Sequence, residues 1–290
     1  MAPVIRVMDP IERLATDRQS AKGLWTLARG RSPLIGTAIH DGHHVWPDLL
    51  ARMAIDESGR LREEDPFTAR FIADMDNRIV VHRSRFELDL NRALDEAIYL
   101  RPEQAWGLHV YETPPDAAQL DRLSRQHASY YAMLKSALAD IEAEHGSFVL
   151  LDMHSYNHRR GGADAPPTDP EKAPDINIGT FSMDRARWAH ILDPFMECLR
   201  DQPFLGRRLD VRENIAFDGK GEQTRFVHEH FPQTGCAIAV EFKKIFMDEL
   251  TGAPDADELT GAPDAEAIAD LQAAIRAALP LLEERLGARP

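Results

Sequence analysis

The sequence is poor in three features that mark particular classes of protein: cysteine, long apolar runs and basic charge. Its 290 residues include two cysteines, Cys198 and Cys236, without the CxxC spacing of a zinc-thiolate site. We therefore expect neither that site nor a disulfide framework, and a reducing cytoplasm fits. No stretch approaches the roughly 20 apolar residues of a membrane-spanning helix, and the N-terminus lacks the apolar segment of an export signal. We expect a cytoplasmic protein without a membrane anchor.

Acidic residues outnumber basic ones by 48 to 34, which gives a formal net charge of -14. Such a charge repels nucleic acids and anionic membranes, and the sequence has no segregated basic run, so neither is an expected partner. With 43% hydrophobic and 28% charged residues, the composition is that of an ordinary globular protein. We expect one domain over 1–290. The sequence leaves a homo-oligomer open.

Short apolar segments alternate with amphipathic helical patterns. This alternation predicts an α/β fold, with a mostly parallel or mixed central sheet flanked by helices. The clearest helical pattern spans 116–144 and ends at Gly146. Further helices are predicted over 184–199 and 266–287. Strands are predicted at 34–40, 79–82, 86–90, 148–153 and 237–242.

Two other segments are predicted to be loops. Residues 161–174 are dense in Gly, Pro, Asp and Ala and follow a histidine-rich segment, which makes them a candidate lid. The nine residues ELTGAPDAD from Glu249 recur from Glu258 with one change. Because this unit is too short for a solenoid repeat, we interpret 249–266 as a duplicated surface linker.

Five of the twelve histidines lie in two segments at predicted strand ends, AIHDGHH and DMHSYNH. Ligands of open α/β sheets bind beyond the carboxyl ends of the strands, so His40 and His154 should face the same crevice. Two imidazoles suit zinc, which in catalytic sites takes three protein ligands and keeps one position open. The third ligand could be His43 or an acid of REEDPFT, although that cluster could instead cap a helix that starts near Pro66. The acids of the cluster are Glu63, Glu64 and Asp65.

Arginines are concentrated in RSRFELDLNR, at Arg83, Arg85 and Arg92. Guanidinium groups bind carboxylates in a bidentate fork, so these residues could hold an anionic substrate. They could equally form structural ion pairs with Asp89 or Glu87.

A single carboxylate, Glu241, follows the apolar run of CAIAVEFKK. A glutamate at the end of a buried strand can have a raised pKa, which suits a general base acting on a metal-bound water. Alternatively, Glu241 is paired with Lys243 or Lys244.

Six segments occur in the order and approximate spacing of the N-formylglutamate amidohydrolase family: IHDGHH, REEDPFT, RSRFELDLNR, LLDMHSYNHRR, DINIGT and AVEFKKIFMDE. They span about 34–249, roughly three quarters of the chain, which therefore resembles this family. The family's fold resembles that of zinc carboxypeptidases and aspartoacylases. The wider kinship is supported by HSY at His154, LNR at Asn91 and Arg92, and the strand glutamate Glu241.

The resemblance implies one zinc ion per chain, bound by His40, His154 and an acid of REEDPFT. Asp65 is the first choice for this acid and Glu64 the second. Zinc carboxypeptidases place a glutamate three residues after the first histidine, where this chain has His43.

The resemblance also implies roles for residues that do not bind the metal. Glu241 would be the general base, and Asn91 with Arg92 would bind a substrate carboxylate. Arg85 would polarise the scissile carbonyl or hold a second carboxylate. Two further pocket residues would be Asn177 and His228.

The activity that the resemblance implies is hydrolysis of a small anionic substrate, N-formyl-L-glutamate, to formate and L-glutamate, as in histidine degradation. Two alternatives stay open. The same chemistry could act on another N-acyl amino acid or a peptide, or the scaffold could be a metal-free binding protein. The zinc content of the purified protein separates the binding protein from both enzymes.

Overall fold

The computed structural model describes residues 23–162, 164–250 and 265–287. Its centre is a seven-stranded sheet, and two further strands, β6 and β7, form a separate pair. The strands are β1 (Trp25–Ala28), β2 (Leu34–Ala38), β3 (Asn77–Val81), β4 (Phe148–Tyr156), β5 (Ile176–Gly179), β6 (Pro203–Phe204), β7 (Arg207–Arg208), β8 (Val211–Glu213) and β9 (Gly235–Lys243).

The strand order in the large sheet is β1-β3-β2-β4-β9-β5-β8. β2 pairs in parallel with β3 and β4, and β4 pairs in parallel with β9. By contrast, β1 is antiparallel to β3, and β5 is antiparallel to β9. The sheet is therefore mixed, which confirms the predicted α/β class. The parallel strands β2, β4 and β9 end at the same edge of the sheet.

The helices are α1 (Pro47–Leu50), α2 (Glu57–Glu63), α3 (Thr68–Phe71), α4 (Ala117–His145), α5 (Ala189–Arg200), α6 (Glu222–His230) and α7 (Ala265–Gly287). The longest, α4, follows the predicted 116–144. It starts after Asp116, whose side chain accepts from two backbone N–H groups, and it ends at Gly146, which has a left-handed φ of 75°.

Helices cover both faces of the sheet because β4 is apolar on both sides. Val149, Leu151 and Met153 belong to the cluster that contains the buried residues of α5 and α7. Phe148 and Leu150, which point the other way, belong to the cluster that contains the buried residues of α4. The sheet therefore lies between two cores and exposes the carboxyl ends of its parallel strands at one edge.

The strand predicted at 86–90 is wrong. The N–H groups of Glu87 and Leu88 both donate to the carbonyl of Ser84, which makes a helical turn. Ion pairs join Arg83 to Glu87 and Arg85 to Asp89, a spacing of four residues that fits a turn and not an extended chain. The alternation of apolar and acidic residues arises because the acids are buried against arginines and not because they face solvent.

The described part of 161–174 contains one short turn of 3-10 helix, Pro170–Lys172, and otherwise no regular structure, which agrees with the predicted loop. Most of the predicted linker, 251–264, lies outside the described residues.

Candidate active site

Three buried side chains, His40, Asp65 and His154, meet at the carboxyl edge of the sheet. His40 follows β2, His154 lies near the end of β4, and Asp65 lies between α2 and α3. The N–H of Asp65 donates to the carbonyl of His40 at 2.9 Å, which brings the loop to the strand end. The two Nδ1 atoms lie 3.2 Å apart, and each lies 3.2 Å from Oδ2 of Asp65. The three atoms thus form a nearly equilateral triangle.

Each histidine of this triangle has a carboxylate on its other nitrogen. Nε2 of His40 lies 2.7 Å from Asp89, and Nε2 of His154 lies 3.0 Å from Asp152. A carboxylate accepts a hydrogen bond, so it favours the tautomer with the proton on Nε2 and a lone pair on Nδ1. Both lone pairs then point at the centre of the triangle. Carboxylates placed in this way orient the histidine ligands of metal sites.

The triangle has the dimensions and chemistry of a metal site. With bonds of about 2.0–2.1 Å, tetrahedral zinc ligands lie about 3.3–3.4 Å apart, close to the observed separation. Two imidazoles and one carboxylate are also a known ligand set of catalytic zinc. Burial alone lowers the pKa of His154, but Asp152 and Asp65 raise this pKa well above its usual range. The site therefore attracts positive charge and could bind a metal ion.

The other candidates for the third ligand are engaged elsewhere. Glu64 accepts a hydrogen bond from the hydroxyl of Ser84, and its second oxygen lies 2.5 Å from Nδ1 of His43. Glu63 pairs with Arg160. In the part of the chain that the structure describes, Asp65 alone of these candidates joins the two histidines.

Glu241 lies beside this site, at the register position of β9 that pairs with His154. Burial raises the pKa of Glu241 to about 7, and the charges of Asp65 and Asp152 add to this effect while His154 opposes it. The lysines that could have neutralised it bind elsewhere. Lys243 pairs with Asp175, and Lys244 donates to backbone carbonyls.

A cavity of about 590 Å³ opens over these residues. His40, Asp65, His154 and Glu241 line its inner part. Arg85, Asn91 and Arg92, which the sequence also singled out, line it as well. Nine residues complete one side of the cavity: 216–222, Thr224 and Arg225.

The three arginines singled out by the sequence have two different roles. Arg83 is a structural residue, paired with Glu87 and stacked over Trp46. Arg85 donates to Asp89 at 2.9 Å, and Nε of Arg92 lies 3.6 Å from the same carboxylate. Both of the latter line the cavity, and about a third of the Arg92 side chain is exposed there.

Asn91 is held close to the metal-site candidate. Its Nδ2 lies 3.4 Å from Nε2 of His154, and its Oδ1 accepts from the N–H of Gln223 at 3.4 Å. A Cβ on Gly221 would come within 2.2 Å of the Asn91 side chain, so any other residue at this position would displace Asn91. The N-terminus of α6 and the Asn91 segment therefore form one continuous part of the wall.

Two residues that the resemblance placed in the pocket do not line this cavity. Asn177 is fully buried, and its side chain bonds the backbone of Phe217, Ile215 and Ala216. His228 accepts from the N–H of Ala237, which fixes α6 to β9, and burial lowers its pKa to about 4. Asn177 and His228 therefore hold the backbone of the cavity walls in place without lining the cavity. None of the described residues between 161 and 174 lines the cavity either.

The carboxylates that orient the two histidines, Asp89 and Asp152, were not among the predicted site residues. Asp152 precedes His154 by two residues on β4, so both point to the same face, and this spacing was a usable signal. Thr37 and Gln223 donate to Asp152 at 2.9 Å and 2.6 Å. Asp89 gave no such signal because its contact with His40 depends on the fold of the turn.

Lys244 is another residue whose role could not be read from the sequence. Its Nζ donates to the carbonyls of Arg62 at 2.6 Å and Glu64 at 2.7 Å, immediately before Asp65. Burial lowers the pKa of Lys244 to about 8. The lysine therefore fixes the backbone that carries Asp65.

No helix in the described ranges has the length and apolar character needed to cross a bilayer.

Comparisons with known proteins identify a family and similar folds. The sequence profile of the N-formylglutamate amidohydrolase family matches residues 32–247. The fold is similar to that of an N-formylglutamate amidohydrolase from Ralstonia eutropha JMP134, with a TM-score of 0.68 and 17% identity over 91% of this chain and 99% of that chain. It is also similar to a gene product from Agrobacterium tumefaciens, with a TM-score of 0.60 and 15% identity over 90% and 96% of the two chains. No curated protein matches the sequence. Since the profile match covers well over half of the sequence, the chain belongs to the N-formylglutamate amidohydrolase family.

Proposed function

We propose that this protein hydrolyses N-formyl-L-glutamate to formate and L-glutamate with the help of one zinc ion. The observation that carries the proposal is the triangle of His40, Asp65 and His154, with sides of 3.2 Å, next to Glu241 in a cavity that also contains arginine. Family membership identifies the substrate. The kinship with zinc carboxypeptidases is part of the same proposal.

His40, Asp65 and His154 would hold the ion. When bound, zinc lowers the pKa of a water molecule and polarises a carbonyl group. Asp89 and Asp152 keep the two imidazoles in the orientation and tautomer that binding requires.

Glu241 acts as the general base. Its carboxylate accepts a proton from the attacking water, and the same proton is then donated to the nitrogen of the departing glutamate as the C–N bond breaks. A pKa of about 7 suits both steps, because the group can accept and release a proton near neutral pH. Arg85, which Asp89 holds in place, stabilises the negative charge that develops on the carbonyl oxygen.

Asn91 and Arg92 bind a carboxylate of the substrate. The protein has a net charge of -14, but these side chains and Arg85 make the local field favourable for an anion. The two cysteines of the chain are free thiols, in keeping with the cytoplasmic location that we propose.

The first test is the release of formate from N-formyl-L-glutamate by the purified protein, with and without a chelator. We expect activity that the chelator abolishes and that added zinc restores. Elemental analysis of the same preparation should give about one zinc per chain. Formate release that survives complete removal of metal would contradict the zinc proposal, whereas zinc without any hydrolysis would contradict the substrate.

Arg92→Ala is expected to raise KM for N-formyl-L-glutamate about 10- to 100-fold, with a smaller effect on kcat and no loss of zinc. A hydrogen bond to a charged group contributes about 1.5–3 kcal/mol, and about 1.4 kcal/mol corresponds to a factor of ten. Steady-state kinetics and metal content measure the two effects. Arg101→Ala is the matched control, since Arg101 is exposed and does not line the cavity. Loss of zinc or of folding in Arg92→Ala would show a structural role instead.

A further inference from the structure

The cavity is larger than the substrate proposed above. N-formyl-L-glutamate has twelve non-hydrogen atoms, and even at the roughly 30 Å³ that a water molecule occupies in the liquid they fill about 360 Å³. The cavity holds about 590 Å³. More than a third of it is therefore left over, and the position of this extra space can be inferred from β4.

Alternate residues of β4 mark positions along the cavity floor. Asp152, His154 and Tyr156 line the cavity and follow one another at intervals of about 6–7 Å. Asn91 lies on the Asp152 side of His154, because its Nδ2 approaches the Nε2 atom that Asp152 binds. Phe217 lies on the other side, with its ring 5.5 Å from that of Tyr156.

This order fixes the direction of the substrate. Asn91 and Arg92 bind the amino acid part, and the carbonyl carbon lies near His154 and Glu241. The acyl substituent must then point along β4 toward Tyr156 and Phe217. A formyl group carries only a hydrogen in this direction, so it leaves the Tyr156 side of the cavity empty.

Two aromatic side chains form the wall of this empty part. Phe217 is 39% exposed, and its ring packs against that of Tyr156, which is buried. Trp106 lies under two guanidinium groups, 4.8 Å from Arg85 and 5.7 Å from Arg160. Its ring also meets that of Tyr99, which lies under the guanidinium group of Arg92, so Trp106 belongs to the wall that carries Arg85 and Arg92.

The outer cations do not favour a third carboxylate here. Each is paired with an acid of the cavity wall, so the charges at the mouth are balanced. The pairs are Arg160 with Glu63, Lys220 with Asp218, and Arg225 with Glu222. An exposed aromatic ring between balanced charges fits an uncharged apolar group.

We propose that Tyr156 and Phe217 form an acyl subsite, and that the enzyme also hydrolyses N-acyl-L-glutamates whose acyl group is aromatic. This inference rests on the proposed function, since it uses the same reacting groups. Water adds to the acyl carbon, the C–N bond breaks, and the nitrogen of glutamate takes the proton that Glu241 carries. The products are an aromatic carboxylate and L-glutamate.

The test compares kcat/KM for N-benzoyl-L-glutamate and N-formyl-L-glutamate. We expect the wild-type protein to hydrolyse both, and Phe217→Ala to lower the ratio of benzoyl to formyl kcat/KM about tenfold, because the phenyl ring loses its aromatic contact. Phe181→Ala is the matched control. Phe181 is 62% exposed and does not line the cavity, so its truncation should leave the ratio within about twofold.

The outcomes separate the two proposals. Hydrolysis of the formyl substrate without the benzoyl substrate would overturn the acyl subsite and leave the proposed function standing. Hydrolysis of the benzoyl substrate alone would overturn the formyl activity and support the subsite. An equal loss for both substrates in Phe217→Ala, or hydrolysis of neither by the wild type, would overturn the subsite.

Discussion

Glu241→Gln is expected to keep its zinc and to lose hydrolysis of N-formyl-L-glutamate by a factor of about 10²–10⁴, the usual contribution of a general base. Glutamine is nearly the same size as glutamate, so β9 and the neighbouring His154 should stay in place. The amide cannot accept the proton of the attacking water or return it to the leaving nitrogen. The measurement is kcat/KM, together with zinc content on the same sample.

The control for this variant is a second carboxylate of the cavity wall. Glu96 lines the cavity but pairs with Arg101 and accepts from Gln104, away from the histidines. Glu96→Gln should therefore retain activity within a few-fold of the wild type. Normal turnover by Glu241→Gln would remove Glu241 from the mechanism, and loss of its zinc would show that it contributes to metal binding.

Asp65→Asn is expected to lower zinc affinity on the order of a hundredfold or more and to abolish hydrolysis at ordinary zinc concentrations. Residues that only orient a metal ligand already contribute about 10–100-fold to affinity, and Asp65 provides one of the three ligand atoms themselves. An amide also lacks the negative charge that attracts the ion. Titration of the metal-free protein with zinc, followed by calorimetry, measures the change.

Glu64→Gln is the matched variant for Asp65→Asn, because Glu64 is the adjacent carboxylate and is just as buried. Its oxygens contact Ser84 and His43, so zinc affinity should change little. The two variants together decide the third ligand. Retention of zinc by Asp65→Asn and its loss by Glu64→Gln would reverse the assignment.

The sequence predicted those parts of the fold in which buried apolar residues recur at the regular spacing of a helix or a strand. The helix over 117–145 presents one apolar stripe, and the central strands are apolar on both faces. The turn at 86–90 was misread because buried ion pairs imitate the alternation of a half-exposed strand. The strand β8, with only three residues, carries too little pattern to be recognised.

Site residues could be predicted from the sequence where their position along a strand determines which way the side chain points. His40 and His154 were found because parallel strands bring their carboxyl ends together. Asp65 could be chosen as the third ligand only through the resemblance to the family. A loop brings it to the strand ends, and no periodic pattern in the sequence indicates that contact. The contact of Asp89 with His40 likewise depends on tertiary structure.

The alternation along β4 also decides where the chain can gain or lose residues. Insertion or deletion of one residue before Asp152 would turn Asp152 and His154 to the opposite face, into the apolar core, and would destroy the site in a single step. Among the described residues the last strand, β9, ends at Lys243, and the match to the family profile ends at residue 247. This is where the sequence carries its nine-residue duplication. Insertions and deletions should therefore be tolerated beyond β9 and selected against within β4.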